Sequence, residues 1–262
     1  MSHINRPPSY PEARGLLKGK TAVVTAAAGT GIGFSVARRA AEEGAVLLIS
    51  DFHERRLNEA ADAIAATVGA RPYTVICDVT RQDDVDRLRD EALTLLGRVD
   101  VLINNAGLGG ETDVVEMTDD QWSRVLDVTL TSVFRMSRAF LPSMYEARSG
   151  AVVNNASVLG WRAQKGQAHY AAAKAGVMAF TRCSALEAAD HGVRINAVSP
   201  SLAMHPFLAR VTTEEALAKL VEREAFGRPA EVWEIANIMI FLASDLSSYM
   251  TGEIISASSQ RA

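Results

Sequence analysis

Residues 21–33 read Thr21-Ala22-Val23-Val24-Thr25-Ala26-Ala27-Ala28-Gly29-Thr30-Gly31-Ile32-Gly33, and this stretch decides the fold. The short apolar run predicts a strand over Thr21–Thr25. Three glycines follow, and then a segment in which Val36, Ala37, Ala40 and Ala41 fall on one helical face. Glycines between a first strand and a first helix let the backbone approach a pyrophosphate closely. The helix behind the turn offers free N–H groups and the positive end of its dipole. Gly29, Gly31, Ile32 and Gly33 are therefore expected to border a dinucleotide. The plain alternative is a glycine-rich turn that binds nothing.

Working outward, the same alternation continues. Strands are expected at Val46–Ser50, Tyr73–Cys77, Val99–Ile103, Ala151–Asn155, Arg194–Val198 and Glu253–Ser256. Helical spacing fills the gaps, notably over His53–Val68, Gln121–Ala147 and Gln167–Ala188. Thr118 followed by Gln121 can form a capping box at the start of one of these helices. Near-continuous apolar strands alternating with helices predict an α/β fold whose parallel sheet is covered on both faces. Right-handed crossovers make it doubly wound, with seven strands in a single sheet and ligands beyond their carboxyl ends. Residues 1–19, with Pro7, Pro8 and Pro11, read as an irregular arm, and residues 20–262 as one catalytic domain. Within it residues 203–226 are the least regular part and form a candidate substrate lid.

The chain of 262 residues carries 27 Lys and Arg against 31 Asp and Glu, a net charge of −4. That balance argues against a nucleic-acid partner, which usually meets a basic face. Two cysteines, Cys77 and Cys183, cannot build a disulfide framework and are expected to be buried thiols in a reducing cytoplasm. The longest apolar stretch, around Ile235–Ala243, is too short to span a bilayer, and no secretory signal pattern precedes the arm. No metal site and no membrane partner are expected.

The second strand ends near Asp51, where a carboxylate can accept hydrogen bonds from an adenosine ribose and repel a 2′-phosphate. This favours NAD over NADP. The alternative is an Asp that caps the next helix, with Arg55 and Arg56 as its solvated face. Further on, Tyr170 and Lys174 lie four apart in a run of good helix formers, so both share one face. A nearby ammonium favours the phenolate and would bring the tyrosine toward a useful base strength. Ser157, at the end of the preceding strand, can donate to the same substrate oxygen.

With these motifs in this order, the sequence from about Lys20 onward resembles the short-chain dehydrogenase/reductase family. The resemblance rests on the glycine turn, Asp78-Val79, Asn104-Asn105-Ala106-Gly107, Ser157, Tyr170-x-x-x-Lys174 and Pro200. It implies a Rossmann-type fold and a nicotinamide cofactor. Asp78 and Val79 would border the adenine, and Asn105, Ala106 and Gly107 would line the cofactor, with Pro200 and Ala203 near its nicotinamide end. Tyr170 would be the acid–base group, Lys174 would hold the nicotinamide ribose, and Ser157 would position the substrate oxygen. The family usually forms tetramers through its long helices and last strand, so a homotetramer is expected.

The chain departs from the family pattern in several places. The usual Thr-Gly-x-x-x-Gly-x-Gly becomes Thr25-Ala26 with one residue more before Gly33. The family's active-site Asn, which helps hold a relay water, aligns with Thr129. Either Thr129 serves in its place or the relay is rerouted through Asn155, which stands on the same strand face as Ser157. Asn155 could equally be an internally bonded amide. Ser201 and His205 follow Pro200 where Gly and Thr are usual, and the chain closes on Ser256-Ala257-Ser258-Ser259-Gln260.

These changes surround the substrate side of the cleft. Trp161 is a candidate apolar wall, and Gln164 or His169 a candidate polar contact. Met204, Phe207, Leu208 and Leu217 suit a bulky apolar substrate, or else simple helix packing. Arg162, Lys165, Arg210 and Lys219 could meet coenzyme A phosphates, or be scattered surface cations. The runs Asn154-Asn155-Ala156-Ser157-Val158-Leu159-Gly160-Trp161-Arg162-Ala163 and Ser258-Ser259-Gln260-Arg261-Ala262 resemble a bacterial subgroup of the family. That subgroup acts in steroid ring degradation on a hydroxy or keto group of a bicyclic CoA thioester. The resemblance thus implies an NAD-linked dehydrogenase or ketoreductase of a CoA thioester. An NADPH-dependent 3-oxoacyl-(acyl-carrier-protein) reductase and a non-catalytic nucleotide sensor are the competing readings.

Overall fold

The computed structural model describes residues 6–205 and 213–260. Among them run nine strands: β1 (Thr21–Thr25), β2 (Val46–Asp51), β3 (Tyr73–Ile76), β4 (Val101–Asn104), β5 (Gly150–Asn155), β6 (Val193–Pro200), β7 (Ala203–Met204), β8 (Ala230–Glu231) and β9 (Ile254–Ala257). Seven form one sheet in the order β3-β2-β1-β4-β5-β6-β9, every neighbouring pair parallel. The order reverses between β1 and β4, which opens a crevice at the carboxyl ends where ligands of such sheets bind. The two-residue strands β7 and β8 pair only with each other.

The helices are α1 (Ile32–Glu42), α2 (Glu54–Val68), α3 (Gln82–Leu96), α4 (Asp119–Leu126), α5 (Ser132–Glu146), α6 (Ala168–Ala189), α7 (Glu214–Val221) and α8 (Val232–Ala243). Alternate strand residues explain the two-sided core. Val24, Ile49, Ile103 and Val153 pack with α1, α2 and α8. Val23, Leu48, Leu102 and Val152 pack on the other face with α3, α5 and the end of α6. A strand buried on both faces has no polar side to present, which is why its sequence is apolar without alternation.

The expected strands and helices match within a few residues, with two corrections. The segment expected as one helix over Gln121–Ala147 is interrupted by a π-helical turn, Asp127–Thr131, between α4 and α5. Such turns insert a residue into the helical ladder without changing the apolar periodicity much, so they leave little trace in sequence. The second concerns the thiols: Cys77 is buried, but Cys183 is exposed on α6. The Thr118–Gln121 capping box forms, with Gln121 N donating to Thr118 Oγ1 and Thr118 N donating to Gln121 Oε1.

Residues 6–20 form neither helix nor strand. They are pinned by a buried ion pair, in which Arg39 donates to Glu43 Oε1 at 2.6 Å and to the Pro11 and Glu12 carbonyls. Glu43 in turn accepts from the Arg14 and Leu16 amides. The lid expected at 203–226 falls partly outside the described residues, and Phe207, Leu208 and Arg210 lie there; the described part holds β7 and α7.

Candidate active site

The glycine turn is shaped by two unlike positions. Gly29 has φ +93, open only to glycine at little cost. Gly33 is packed so tightly that an added Cβ would stand 2.3 Å from both Ala26 O and Asn105 Nδ2. Gly31 faces open space, so the backbone there is accessible to a ligand. Ala26, placed directly after Thr25 where the family has glycine, adopts φ +50, a left-handed conformation that strains an alanine.

Asn105 fastens this turn to the sheet. Its backbone N–H donates to Thr25 Oγ1, and its side-chain amide donates to the Thr25 and Ala26 carbonyls. Its Oδ1 accepts from Asn155 Nδ2 at 2.9 Å. The Asn155 amide is partly engaged within the protein. Its amide nitrogen is bonded internally, while its Oδ1 is buried without a partner in the protein.

Asp51 is buried at the end of β2. Its Oδ1 accepts from His53 N at 3.0 Å at the start of α2, and its Oδ2 accepts from Ala28 N at 3.2 Å in the glycine turn. It therefore shapes both turns and still borders a cavity of about 870 Å³. Asp78, Val79, Ala106 and Gly107 border the same cavity. Asp78 accepts from the Thr80 N–H and hydroxyl. Arg55 pairs with Glu59 on the helix surface. Three residues expected at the adenosine half of a cofactor, Asp51, Asp78 and Val79, thus come together with two expected to line it, Ala106 and Gly107. Pro200 ends β6, and buried Ala203 pairs with Ala230 through β7 and β8. Neither borders this cavity or the one beside Ser157.

Tyr170 and Lys174 lie on one face of α6, with the Lys174 Nζ 5.6 Å from the centre of the Tyr170 ring. Ser157 stands beside the phenol as its one polar side-chain influence. Burial raises the Tyr170 phenol above its ordinary value, and Ser157 opposes this. The expected lowering by the Lys174 ammonium is not what dominates in the protein alone, because a buried phenolate loses its hydration. Lys174 itself is buried, and desolvation lowers its pKa to about 7. Its Nζ donates to the Asn155 carbonyl.

Thr129 is fully buried on the π turn. Its hydroxyl accepts from Leu108 N at 2.9 Å and donates to Leu108 O at 3.1 Å. Its one donor is thus committed to the loop after β4, next to Gly107. These described bonds make its side chain a holder of that loop.

A second cavity, of about 340 Å³, opens beside Ser157 and is lined by Arg162, Gln164, Leu202, Leu220 and Gln260 among others. Trp161, expected as a wall, is 50% exposed and does not border it. His169 is buried against Gly110 and does not border it either. Lys165 pairs with Asp113 and Lys219 with Glu215 at the surface. Sequence reasoning missed Leu202 and Leu220, because segments far apart in the chain bring them to Ser157, while Gln260 belongs to the closing run expected at the substrate side. No helix among the described residues is long and apolar enough to cross a membrane.

Comparison with known proteins follows the same lines. The sequence model of a family described as "Enoyl-(Acyl carrier protein) reductase" matches residues 26–259. A Mycobacterium tuberculosis protein named (5R,7aS)-5-hydroxy-7a-methyl-1-oxo-2,3,5,6,7,7a-hexahydro-1H-indene-carboxyl-CoA reductase is 62% identical over 247 residues, covering 94% of each chain. The 3-oxoacyl-[acyl-carrier-protein] reductase of Thermotoga maritima is 35% identical over 240 residues, 91% of this chain and 96% of that one. A crystal structure of a short chain dehydrogenase from Mycobacterium smegmatis superposes with a TM-score of 0.88 at 56% identity, covering 99% of this chain and 100% of the other.

Proposed function

Because the chain belongs to the short-chain dehydrogenase/reductase family, whose members are nicotinamide-dependent oxidoreductases acting on CH–OH groups, we propose that it interconverts a secondary alcohol and a ketone on a bicyclic CoA thioester, using NAD. The reading is carried by one observation: Ser157, Tyr170 and Lys174 meet at the carboxyl end of the sheet, with the Lys174 Nζ 5.6 Å from the Tyr170 ring centre and Ser157 beside the phenol. The mycobacterial relative, named for a bicyclic indene-carboxyl-CoA, supports the substrate class.

The residues fit a nicotinamide dinucleotide. Gly31 presents accessible backbone at the head of α1, Asp51 borders the large cavity, and Asn155 Oδ1 is a buried acceptor that a ribose hydroxyl would satisfy. The carboxylate of Asp51 favours the free 2′-hydroxyl of NAD over the 2′-phosphate of NADP. The bound cofactor supplies the hydride acceptor or donor. The remaining chemistry falls to the protein. In reduction Tyr170 gives its proton to the carbonyl oxygen, and in oxidation it removes the alcohol proton. Ser157 donates to that oxygen and holds it beside Tyr170. Lys174 keeps a cationic donor under the ring, which favours the phenolate. Asn105 and Thr129 hold the loops that frame the site. A homotetramer and a cytoplasmic location complete the reading.

The test follows NADH consumption or formation by purified protein with hydroxy- and keto-acyl-CoA thioesters, straight-chain and bicyclic. We expect turnover on bicyclic substrates, a 10²–10⁴-fold loss in Tyr170→Phe, and retained NADH binding in that variant. Turnover confined to straight chains would point instead to an acyl ketoreductase. NADPH binding as tight as NADH would overturn the assignment to Asp51.

A further inference from the structure

Phe52 follows Asp51 directly after β2 and is 69% exposed. Its backbone is nevertheless held on both sides. The Asp51 carbonyl accepts from Cys77 N at 3.0 Å, and Asp51 Oδ1 accepts from His53 N at 3.0 Å, spanning Phe52 itself. An Asp bonded to the amide two residues on makes a local turn that fixes the residue between them. Among the described residues the only ring near Phe52 is that of His53, 6.3 Å away. A large apolar side chain thus stands in water on a turn that is firmly bonded.

Phe52 borders the cavity of about 870 Å³ together with Asp51, Asp78 and Val79. Strand β3 runs beside β2 with Asp51 opposite Ile76, so Phe52 and the pair Asp78-Val79 leave neighbouring strand ends side by side. Among the described residues one other aromatic, Trp122, borders this cavity, and it comes from α4 with Asp120, Ser123 and Arg124. The adenosine ribose belongs at Asp51 in the reading above, and the adenine base is bonded to that ribose. The base therefore falls within reach of the ring one residue on, beside Phe52 and Val79. A purine has a broad π-face, and aromatic side chains take such faces in offset stacks.

We propose that Phe52 is a cofactor-binding residue, an aromatic platform on which the adenine base of the dinucleotide stacks. This rests on the nicotinamide-dinucleotide reading above. Stacking buries, on binding, apolar surface that the free protein leaves in water. It makes the hold on the adenosine half of the cofactor depend on one ring. An aliphatic side chain at the same place would cover the base without offering a π-face, and so keep only part of the effect. Ser157, Tyr170 and Lys174 do not border this cavity. The contribution of Phe52 is therefore to cofactor affinity and not to proton transfer.

The experiment titrates the full chain calorimetrically with three ligands: NADH, ADP-ribose, which carries the adenine half, and reduced nicotinamide mononucleotide, which lacks it. We expect Phe52→Ala to weaken NADH and ADP-ribose alike by about 5-fold or more, the loss of one base–aromatic stack. Affinity for the mononucleotide should be unchanged. Phe52→Tyr should keep parental affinity for NADH, and Phe52→Leu should keep only part of it. The melting temperature of the unliganded protein should not change in these variants, because the ring is 69% exposed. Unchanged NADH affinity in Phe52→Ala, full affinity in Phe52→Leu, or an equal loss for the mononucleotide overturns this proposal while leaving the cofactor reading standing. Failure of the parent protein to bind NADH overturns that reading and this inference together.

Discussion

The Asn155 side chain donates to Asn105 Oδ1 at 2.9 Å and so ties the strand leading to Ser157 to the strand end that holds the glycine turn. The same residue's carbonyl receives the Lys174 ammonium, and its own Oδ1 is left buried and unpartnered. Asn155 thus stands where the nucleotide-binding and proton-transfer halves of the site meet. Replacing it with valine removes the acceptor and the link to Asn105. We expect Asn155→Val to weaken NADH binding by about 2- to 13-fold, the equivalent of one ordinary hydrogen bond. Fluorescence titration measures this, and unchanged affinity would mean that the orphaned oxygen does not serve the cofactor.

Ser157 opposes the upward shift that burial imposes on the Tyr170 phenol. In the direction of alcohol oxidation the rate rises with pH as Tyr170 loses its proton. Ser157→Ala removes a polar neighbour that favours the phenolate, so the rising limb should move to higher pH as well as lower in height. A pH profile of kcat/KM reads both. A limb that falls without moving would restrict Ser157 to orienting the substrate.

Lys174 is a buried cation whose only described hydrogen bond is to a carbonyl oxygen. Its pKa in the folded protein, about 7, lies below the ordinary lysine value. The fold therefore binds this proton less tightly than the unfolded chain does. The resulting penalty is complete below about pH 7 and fades as pH rises toward the ordinary lysine value. Lys174→Met should cut turnover at least about 100-fold. The same change should raise Tm, by about 2–4 °C for each kcal/mol recovered. The gain should be larger at pH 6 than at pH 9. Thermal melts at the two pH values check the sign.

The glycine turn gives a pair of opposed predictions. Ala26→Gly relieves a left-handed alanine, φ +50, and should stabilise the protein by about 1 kcal/mol. Gly33→Ala forces a methyl group to within 2.3 Å of Ala26 O and Asn105 Nδ2. It should destabilise by about 1–3 kcal/mol and weaken NADH binding. Denaturant midpoints for the two variants should fall on opposite sides of the parent.

Much of this protein is legible in one dimension because its determinants are local or periodic. The strand run Thr21–Thr25, the turn that follows it and the four-residue spacing of Tyr170 and Lys174 each act over a few residues, and the chain's own geometry carries them into the structure. The order of strands and helices sufficed for the doubly wound sheet, since few topologies satisfy right-handed crossovers. Tertiary structure alone decided the rest. That Ala26 is strained, that Thr129 spends its hydroxyl on Leu108, and that Asn155 leaves one amide oxygen bare depend on neighbours at least 20 residues away or on backbone angles no pattern reveals. The wall of the smaller cavity shows this most clearly. Nothing in sequence connects Arg162, Glu224 and Gln260, which become one chain of hydrogen bonds only when the fold brings Gln260 between the Glu224 carboxylate and the Arg162 guanidinium.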